Sequence, residues 1–172
     1  MLQQLAEKGV KQVMMTNVDN LTATLDPALI AMHRRLGEPM SAEMAPKVDG
    51  DKGGAPARVD GVKQIVEGFR FPSDFDQDQI PVFNTNTLIF DLPALSGPFD
   101  FTWFAVRKTV EGRTAIQFER LVGQLSAMMG CSFVQVARTG EDARFQPVKD
   151  PAELKARQEE ITTALQARGI LP

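Results

Sequence analysis

The apolar and polar positions of the chain fall into short runs separated by turn residues. Residues 10 to 16, "VKQVMMT", form an apolar stretch between a glycine and an Asn/Asp cluster, and this predicts a strand of a covered sheet with a polar loop at its carboxyl end. Upstream, "LQQLAEKG" has the pattern of a short helix. Asp26-Pro27 pairs a helix N-cap with proline at the first helical position. Leu29, Met32 and Leu36 then recur at helical spacing until Gly37. Between residues 38 and 71, alternation broken by Gly50, Gly53-Gly54 and Asp60-Gly61 predicts two or three antiparallel strands, with the Asp-Gly pair as a hairpin turn.

"PSDFDQDQI" is an acidic surface loop, and "PVFNTNTLIFDLPAL" is a strand. Its alternation places Phe83, Thr85 and Thr87 on one face and Asn84 and Asn86 on the other. "FTWFAVRKTV" predicts a further strand, with "EGR" as a turn. From Thr114, the spacing of Phe118, Leu121, Val122, Leu125, Met128 and Met129 predicts an amphipathic helix closed by Gly130. "CSFVQVAR" is a strand, "TGEDARFQPVK" a polar loop, and "DPAELKARQEEITTALQARG" a final helix. Glu153/Arg157 and Lys155/Glu159 are spaced i, i+4 on what would be its solvated face. Strands interleaved with helices give an α/β class, a mixed sheet flanked by helices.

Composition changes this picture little. With 172 residues, 43% hydrophobic and 24% charged, the chain has enough material for one domain with a sizeable core. A net charge of -3 with interspersed signs offers no electrostatic footprint for nucleic acid or an anionic membrane. Cys131 is the only cysteine, so a disulfide framework or cysteine metal site within the chain is excluded, and a reducing cytoplasm is the expected setting. No stretch reaches the roughly 18 apolar residues of a membrane span, and the N-terminus lacks a signal-peptide core. The abrupt entry into the first strand fits either a cut chain or a naturally short one.

Four polar groups lie at strand ends or in loops beside strands: Asn17/Asp19/Asn20, Lys52/Gly53/Gly54, Asn84/Asn86 and Lys149. Asp19 beyond a strand suits a hard cation shared with phosphate oxygens, or equally an Asx turn or cap. Asparagine is depleted in strands, so Asn84 and Asn86 either serve sugar hydroxyls or mark an edge facing water. Glu67 in "QIVEGF" either accepts from a hydroxylated ligand or is an exposed strand carboxylate. Lys149, between two prolines, can meet a phosphate as a point charge or be an ordinary surface lysine. His33 has no partner at ligand spacing and is assigned to a helix surface. Ser/His/Asp chemistry has no support beyond it.

In order, these motifs resemble the eukaryotic-type UTP–glucose-1-phosphate uridylyltransferases, also called UDP-glucose pyrophosphorylases. The resemblance rests on "NVDNLTATLDP", "KVDGDKGGAPARVDGVKQIVEGF", "FNTNTLIF", "IQFERLVG" and "ARFQPVKDPAEL", spread over most of the chain. The wording of the first and third motifs resembles the glucose branch more than the UDP-N-acetylhexosamine pyrophosphorylases. The resemblance implies a partial Rossmann-like nucleotidyltransferase (GT-A-like) domain over residues 1–172, the back half of the catalytic domain. Counterparts of the family's glycine-rich nucleotide loop, uracil-recognising segments and C-terminal β-helix are not found in the sequence.

The resemblance further implies that Asn17 and Asp19 contact the sugar nucleotide and its metal–phosphate region, with Asp19 holding Mg2+. Gly54 would lie near the sugar, Glu67 would bind sugar hydroxyls, and Asn84 and Asn86 would line the sugar pocket. Lys149 would reach the phosphates, and with Asp19 it would be catalytic. The implied ligands are UTP, UDP-glucose and glucose 1-phosphate. The chain alone is expected to be catalytically incompetent, and a sheet lacking its first strands would pair copies through its open edge. The alternatives are a sugar-phosphate-binding module without turnover and a purely structural fragment.

Overall fold

The computed structural model describes residues 1–49, 51 and 53–172. The break expected at Gly50 and the candidate site residue Lys52 lie outside the described residues. Helix α1 (Leu2–Glu7) precedes β1 (Gln12–Met15), α2 (Pro27–Leu36), β2 (Met40–Pro46), β3 (Ala55–Val59) and β4 (Val62–Val66). Then follow β5 (Val82–Asp91), β6 (Phe104–Val110), β7 (Arg113–Glu119), α3 (Leu125–Met128), β8 (Cys131–Gln135) and α4 (Pro151–Ala167). A four-stranded sheet runs β1-β5-β2-β8. The β1–β5 and β5–β2 pairs are antiparallel and β2–β8 is parallel, giving the expected mixed sheet. β1 is an edge strand and half-buried, not the covered strand its apolar run suggested.

The core lies against the central strands. Met40, Ala42, Met44, Leu88, Phe90 and Cys131 from the sheet meet Ile65 and Leu125 from outside it. The β3–β4 hairpin turns at Asp60 (φ 49°) and Gly61 (φ 82°), the left-handed pair that an Asp-Gly turn needs. It is tied to α3 by the Ser126 hydroxyl, which accepts from Ile65 N at 2.8 Å and donates back to Gly123 O at 2.5 Å.

The helix predicted from Thr114 is instead a strand, a turn and a single helical turn. β6 and β7 form a hairpin around Glu111 (φ 49°) and Gly112 (φ 75°), with Val110 opposite Arg113. β-Branched Thr114 and Ile116, with Ile116 and Phe118 alternating with Gln117 and Glu119, favour the strand. The helical spacing was a coincidence of strand end, 3-10 turn (Val122–Gln124) and α3. The ribbon leaves Ile116 60% and Phe118 67% exposed.

A further expectation fails on α2. His33 is not on the surface: it is 1% exposed, its Nδ1 is 2.8 Å from Ser41 Oγ, and its Nε2 is 3.4 Å from Asp91. Met32 and Leu36 face outward instead, because the bond to β2 rotates the helix onto its His33 side. On α4 neither i, i+4 ion pair forms. Glu153 accepts from the Lys149 backbone N–H at 2.8 Å, and Arg157 donates to Gln146. Capping and loop anchoring outcompete a surface pair of small worth.

A buried charge network fastens these layers. Arg144 makes a two-pronged contact with Glu43 on β2, at 2.9 and 2.8 Å, and donates to Thr24 O. Arg168 donates to Thr22 O and Ala143 O, fixing the end of α4. Burial lifts the Glu43 carboxyl above its ordinary range despite the opposing pull of Arg144.

Candidate functional site

A cleft of about 420 Å³ opens beside the central sheet, and Asn17, Asp19, Gly54, Glu67, Asn84, Asn86 and Lys149 all line it. The seven residues to which the family resemblance gives ligand contacts are therefore brought to one place, whereas Asn20 does not line the cleft. Glycine 53 lines the cleft too; Lys52 lies outside the described residues.

The wall of amides comes from an irregularity in β5. Ala42 pairs with Leu88 and Met44 with Asn84, so residues 85–87 bulge opposite Glu43. Thr85 and Thr87 point inward and are buried, and the Thr85 hydroxyl donates to Glu43 O at 3.1 Å. Asn86 takes φ 62°, a left-handed conformation that asparagine tolerates better than most residues. Its N–H donates to Asn84 Oδ1 at 3.1 Å, and its side-chain amide donates to Asn17 Oδ1 at 2.7 Å. Asparagines on this strand thus supply both the bulge and the polar wall.

The loop after β1 divides its labour. Asn20 is buried and structural: its Nδ2 donates to Arg144 O and its Oδ1 accepts from Gln146 N. With Val148 N donating to Asp19 O at 2.8 Å, it stitches this loop to the one carrying Lys149. Asp19 and Lys149 are consequently neighbours at one end of the cleft. Lys149 itself precedes the Asp150 cap of α4, whose side chain accepts from Glu153 N at 2.9 Å.

Glu67 follows β4, with Gly54 and Gly123 close to its carboxylate. A Cβ on Gly54 would come within 2.9 Å of Ile65 Cγ2 and 3.1 Å of Glu67 Oε1. One on Gly123 would come within 3.3 Å of Ile65 Cγ2 and 3.7 Å of Glu67 Oε1. Only glycine leaves the carboxylate this seat. Burial raises the Glu67 pKa, with Arg70 pulling it down and Glu119 adding to the rise. Among the described residues, the Asp19 and Glu67 carboxylates and the Lys149 ammonium make no side-chain hydrogen bond or ion pair. Three charges are thus held open toward one cavity.

Magnesium fits the Asp19 end in a limited sense. Among the described residues no group of three or more His, Cys, Asp or Glu could cage a metal. Magnesium asks for less, being held by one or two carboxylates together with waters and substrate phosphates. The Asp19 carboxylate, in the same cleft as Lys149, suits an ion shared with phosphate. Cys131 stands apart from the site: it is buried, and desolvation pushes its thiol up to about 12.

Sequence reasoning missed Arg120, Gly123 and Phe145, which also line the cleft. Arg120 and Gly123 sit inside "IQFERLVG", whose helical spacing hides the strand end and turn that carry them. Phe145 packs edge-on against Phe83, with ring centres 5.0 Å apart, and closes the floor.

Comparison with known proteins agrees with this geometry. The family model described as UTP–glucose-1-phosphate uridylyltransferase matches residues 1–167. A curated relative, the UTP–glucose-1-phosphate uridylyltransferase of Encephalitozoon cuniculi, is 28% identical over 166 residues, 90% of this chain and 33% of that protein. A mutant UDP-glucose pyrophosphorylase from Leishmania major, solved in complex with UDP-glucose, aligns at TM-score 0.71 and 29% identity over 89% of this chain and 38% of that one. The structure of UDP-glucose phosphorylase from Trypanosoma brucei aligns at TM-score 0.71 and 26% identity, covering 89% of this chain and 36% of that one. The chain spans between a third and two fifths of these relatives' lengths. A match over residues 1–167, with the motif residues gathered in one cleft, places the chain in the UTP–glucose-1-phosphate uridylyltransferase family.

Proposed function

We propose that this chain forms the sugar-phosphate side of a site that transfers uridylyl from UTP to glucose 1-phosphate, giving UDP-glucose and pyrophosphate. The observation that carries this is the convergence of Asp19, Glu67 and Lys149, unspent on one another, around a cleft walled by Asn84 and Asn86. A phosphate oxygen of glucose 1-phosphate attacks the α-phosphorus of UTP, and the bond from that phosphorus to the pyrophosphate oxygen breaks. Such transfers depend on positioning and charge stabilisation, since the protein makes no covalent bond.

In this scheme the Lys149 ammonium offsets negative charge on the phosphates. Glu67 accepts from sugar hydroxyls, and the free donors and acceptors of Asn84 and Asn86 fix the sugar's orientation. Asp19 would hold magnesium, which when bound neutralises phosphate oxygens. The family resemblance assigns nucleotide recognition to segments ahead of the "NVDNL" strand. Binding of the sugar phosphate is the activity proposed for these 172 residues, in a reducing cytoplasm.

Isothermal titration of the chain with UDP-glucose and magnesium tests this, with Lys149→Ala as control. Loss of one charge-assisted contact of roughly 1.5–3 kcal/mol weakens binding by about 10-fold to 100-fold. No binding by the folded chain would reduce it to a structural piece of the family fold.

A further inference from the structure

The acidic stretch before β5 is more than a surface loop. Phe71 and Phe75 stack with ring centres 5.1 Å apart, and Asp76 caps a 3-10 turn over Gln77–Gln79, its side chain accepting from Asp78 N at 3.0 Å. Among residues 72–79 only Gln77 is half-buried, the others being exposed. Gln77 reaches back to the residue after Glu67, where its Nε2 donates to Gly68 O at 2.9 Å. A Cβ on Gly68 would come within 3.1 Å of Gln77 Oε1, so the glycine admits the amide. The Gln77 main chain is itself held, its O accepting from Lys47 Nζ at 2.7 Å, and Lys47 N donates to Pro81 O at 2.9 Å. Lys47 directly follows β2, so a central strand of the sheet carries the anchor.

Glu67 needs such support. A second cavity, of about 860 Å³, is lined by Lys47, Gly53, Glu67, Gly68 and Gln77, and Glu67 and Gly53 line the cleft as well. Glu67 therefore has open space on two sides, and packing alone does not stop its segment from shifting toward the second cavity. The bonds of the turn that follows, Arg70 N to Glu67 O at 2.8 Å and Phe71 N to Gly68 O at 3.4 Å, are local and travel with it. The bond from Gln77 comes from a separately anchored loop and does not. We infer that Gln77 is a positioning residue for Glu67, holding the main chain beside it so that the carboxylate meets the sugar hydroxyls, where small misplacements cost affinity. This rests on Glu67 binding the sugar, as proposed above.

The test is a double-mutant cycle, read by titration of the 172-residue chain with glucose 1-phosphate. Gln77→Met keeps the length of the side chain and removes its donor. It weakens binding by about fivefold, the worth of one neutral hydrogen bond, while circular dichroism stays that of the wild type. Gln77→Glu, which at neutral pH sets an acceptor against Gly68 O, weakens binding at least as much. In a Glu67→Ala background Gln77→Met changes the affinity by less than about twofold, because no carboxylate is left to position. An equal loss in both backgrounds would make Gln77 a structural residue only and overturns the inference. Binding by Gln77→Met and Gln77→Glu within about twofold of the wild type overturns it too. Glu67→Ala binding as tightly as the wild type, or no binding by the folded wild-type chain, removes the reading of Glu67 as a sugar contact and the inference with it.

Discussion

The side-chain amide of Asn86 donates to Asn17 Oδ1 at 2.7 Å, joining a bulge in β5 to the loop after β1, 69 residues away in sequence. This bond fixes the amide wall, and the left-handed backbone at Asn86 makes it testable in two parts. Glycine tolerates φ 62° and alanine does not. Asn86→Ala should therefore be less stable than Asn86→Gly by about 1 kcal/mol in urea unfolding, while both lose affinity for UDP-glucose. Equal stabilities of the two variants would mean that the bulge relaxes.

Gly54→Ala should disturb the site more than the fold. The new methyl would meet Ile65 and the Glu67 carboxyl at 2.9 and 3.1 Å, so Glu67 has to move. Overpacking of this kind costs about 1–3 kcal/mol. Circular dichroism should show a folded chain, and titration should show weakened glucose 1-phosphate binding.

Glu67 links affinity to pH. Burial holds its pKa above the ordinary 4.5, so the native state binds a proton more readily than the unfolded chain. The stability this gives is fully present below the unfolded value and lost as pH rises through the raised one. Glu67→Gln should accordingly raise Tm at neutral pH. The wild-type affinity for glucose 1-phosphate should rise with pH through the same range, as the carboxylate becomes a full acceptor. In Glu67→Gln the affinity should be about tenfold lower at neutral pH and flat with pH. A pH profile identical to that of the wild type would exclude Glu67 from ligand binding.

Removing Glu43 should unfold the chain more readily than any cleft substitution. Glu43→Ala leaves Arg144, 4% exposed, without its two-pronged partner. Breaking a buried pair from one side costs roughly 3–5 kcal/mol. Denaturant midpoints for Glu43→Ala and for the double variant Glu43→Met/Arg144→Met check this, with the double variant closer to wild type.

The sequence by itself determined the local elements wherever one pattern dominated. Asp60-Gly61 supplied the left-handed turn of β3–β4. Asp26-Pro27 and Asp150-Pro151 started α2 and α4, with caps accepting from Ala28 N and Glu153 N. The alternation of residues 83–87 put the asparagines and the threonines on opposite faces as expected. The site residues were legible because their types were wrong for their places: amides in a strand, a carboxylate after a buried run, a lysine between prolines.

What only the tertiary structure decided is where several signals competed or the partner lay far along the chain. Residues 114–129 carry helical spacing, yet the Glu111-Gly112 turn and the β-branched residues beside it win, because pairing with β6 satisfies that backbone. His33 is buried because Ser41 and Asp91 arrive from β2 and β5 to meet it. Asn20 and Asp19 look equivalent in "NVDNL", but long-range bonds to residues 144 and 146 commit Asn20 to the fold and leave the Asp19 carboxylate facing the cleft. Periodicity encodes which face a residue takes. Which group it meets there depends on contacts more than a hundred residues apart, and local spacing does not carry that information.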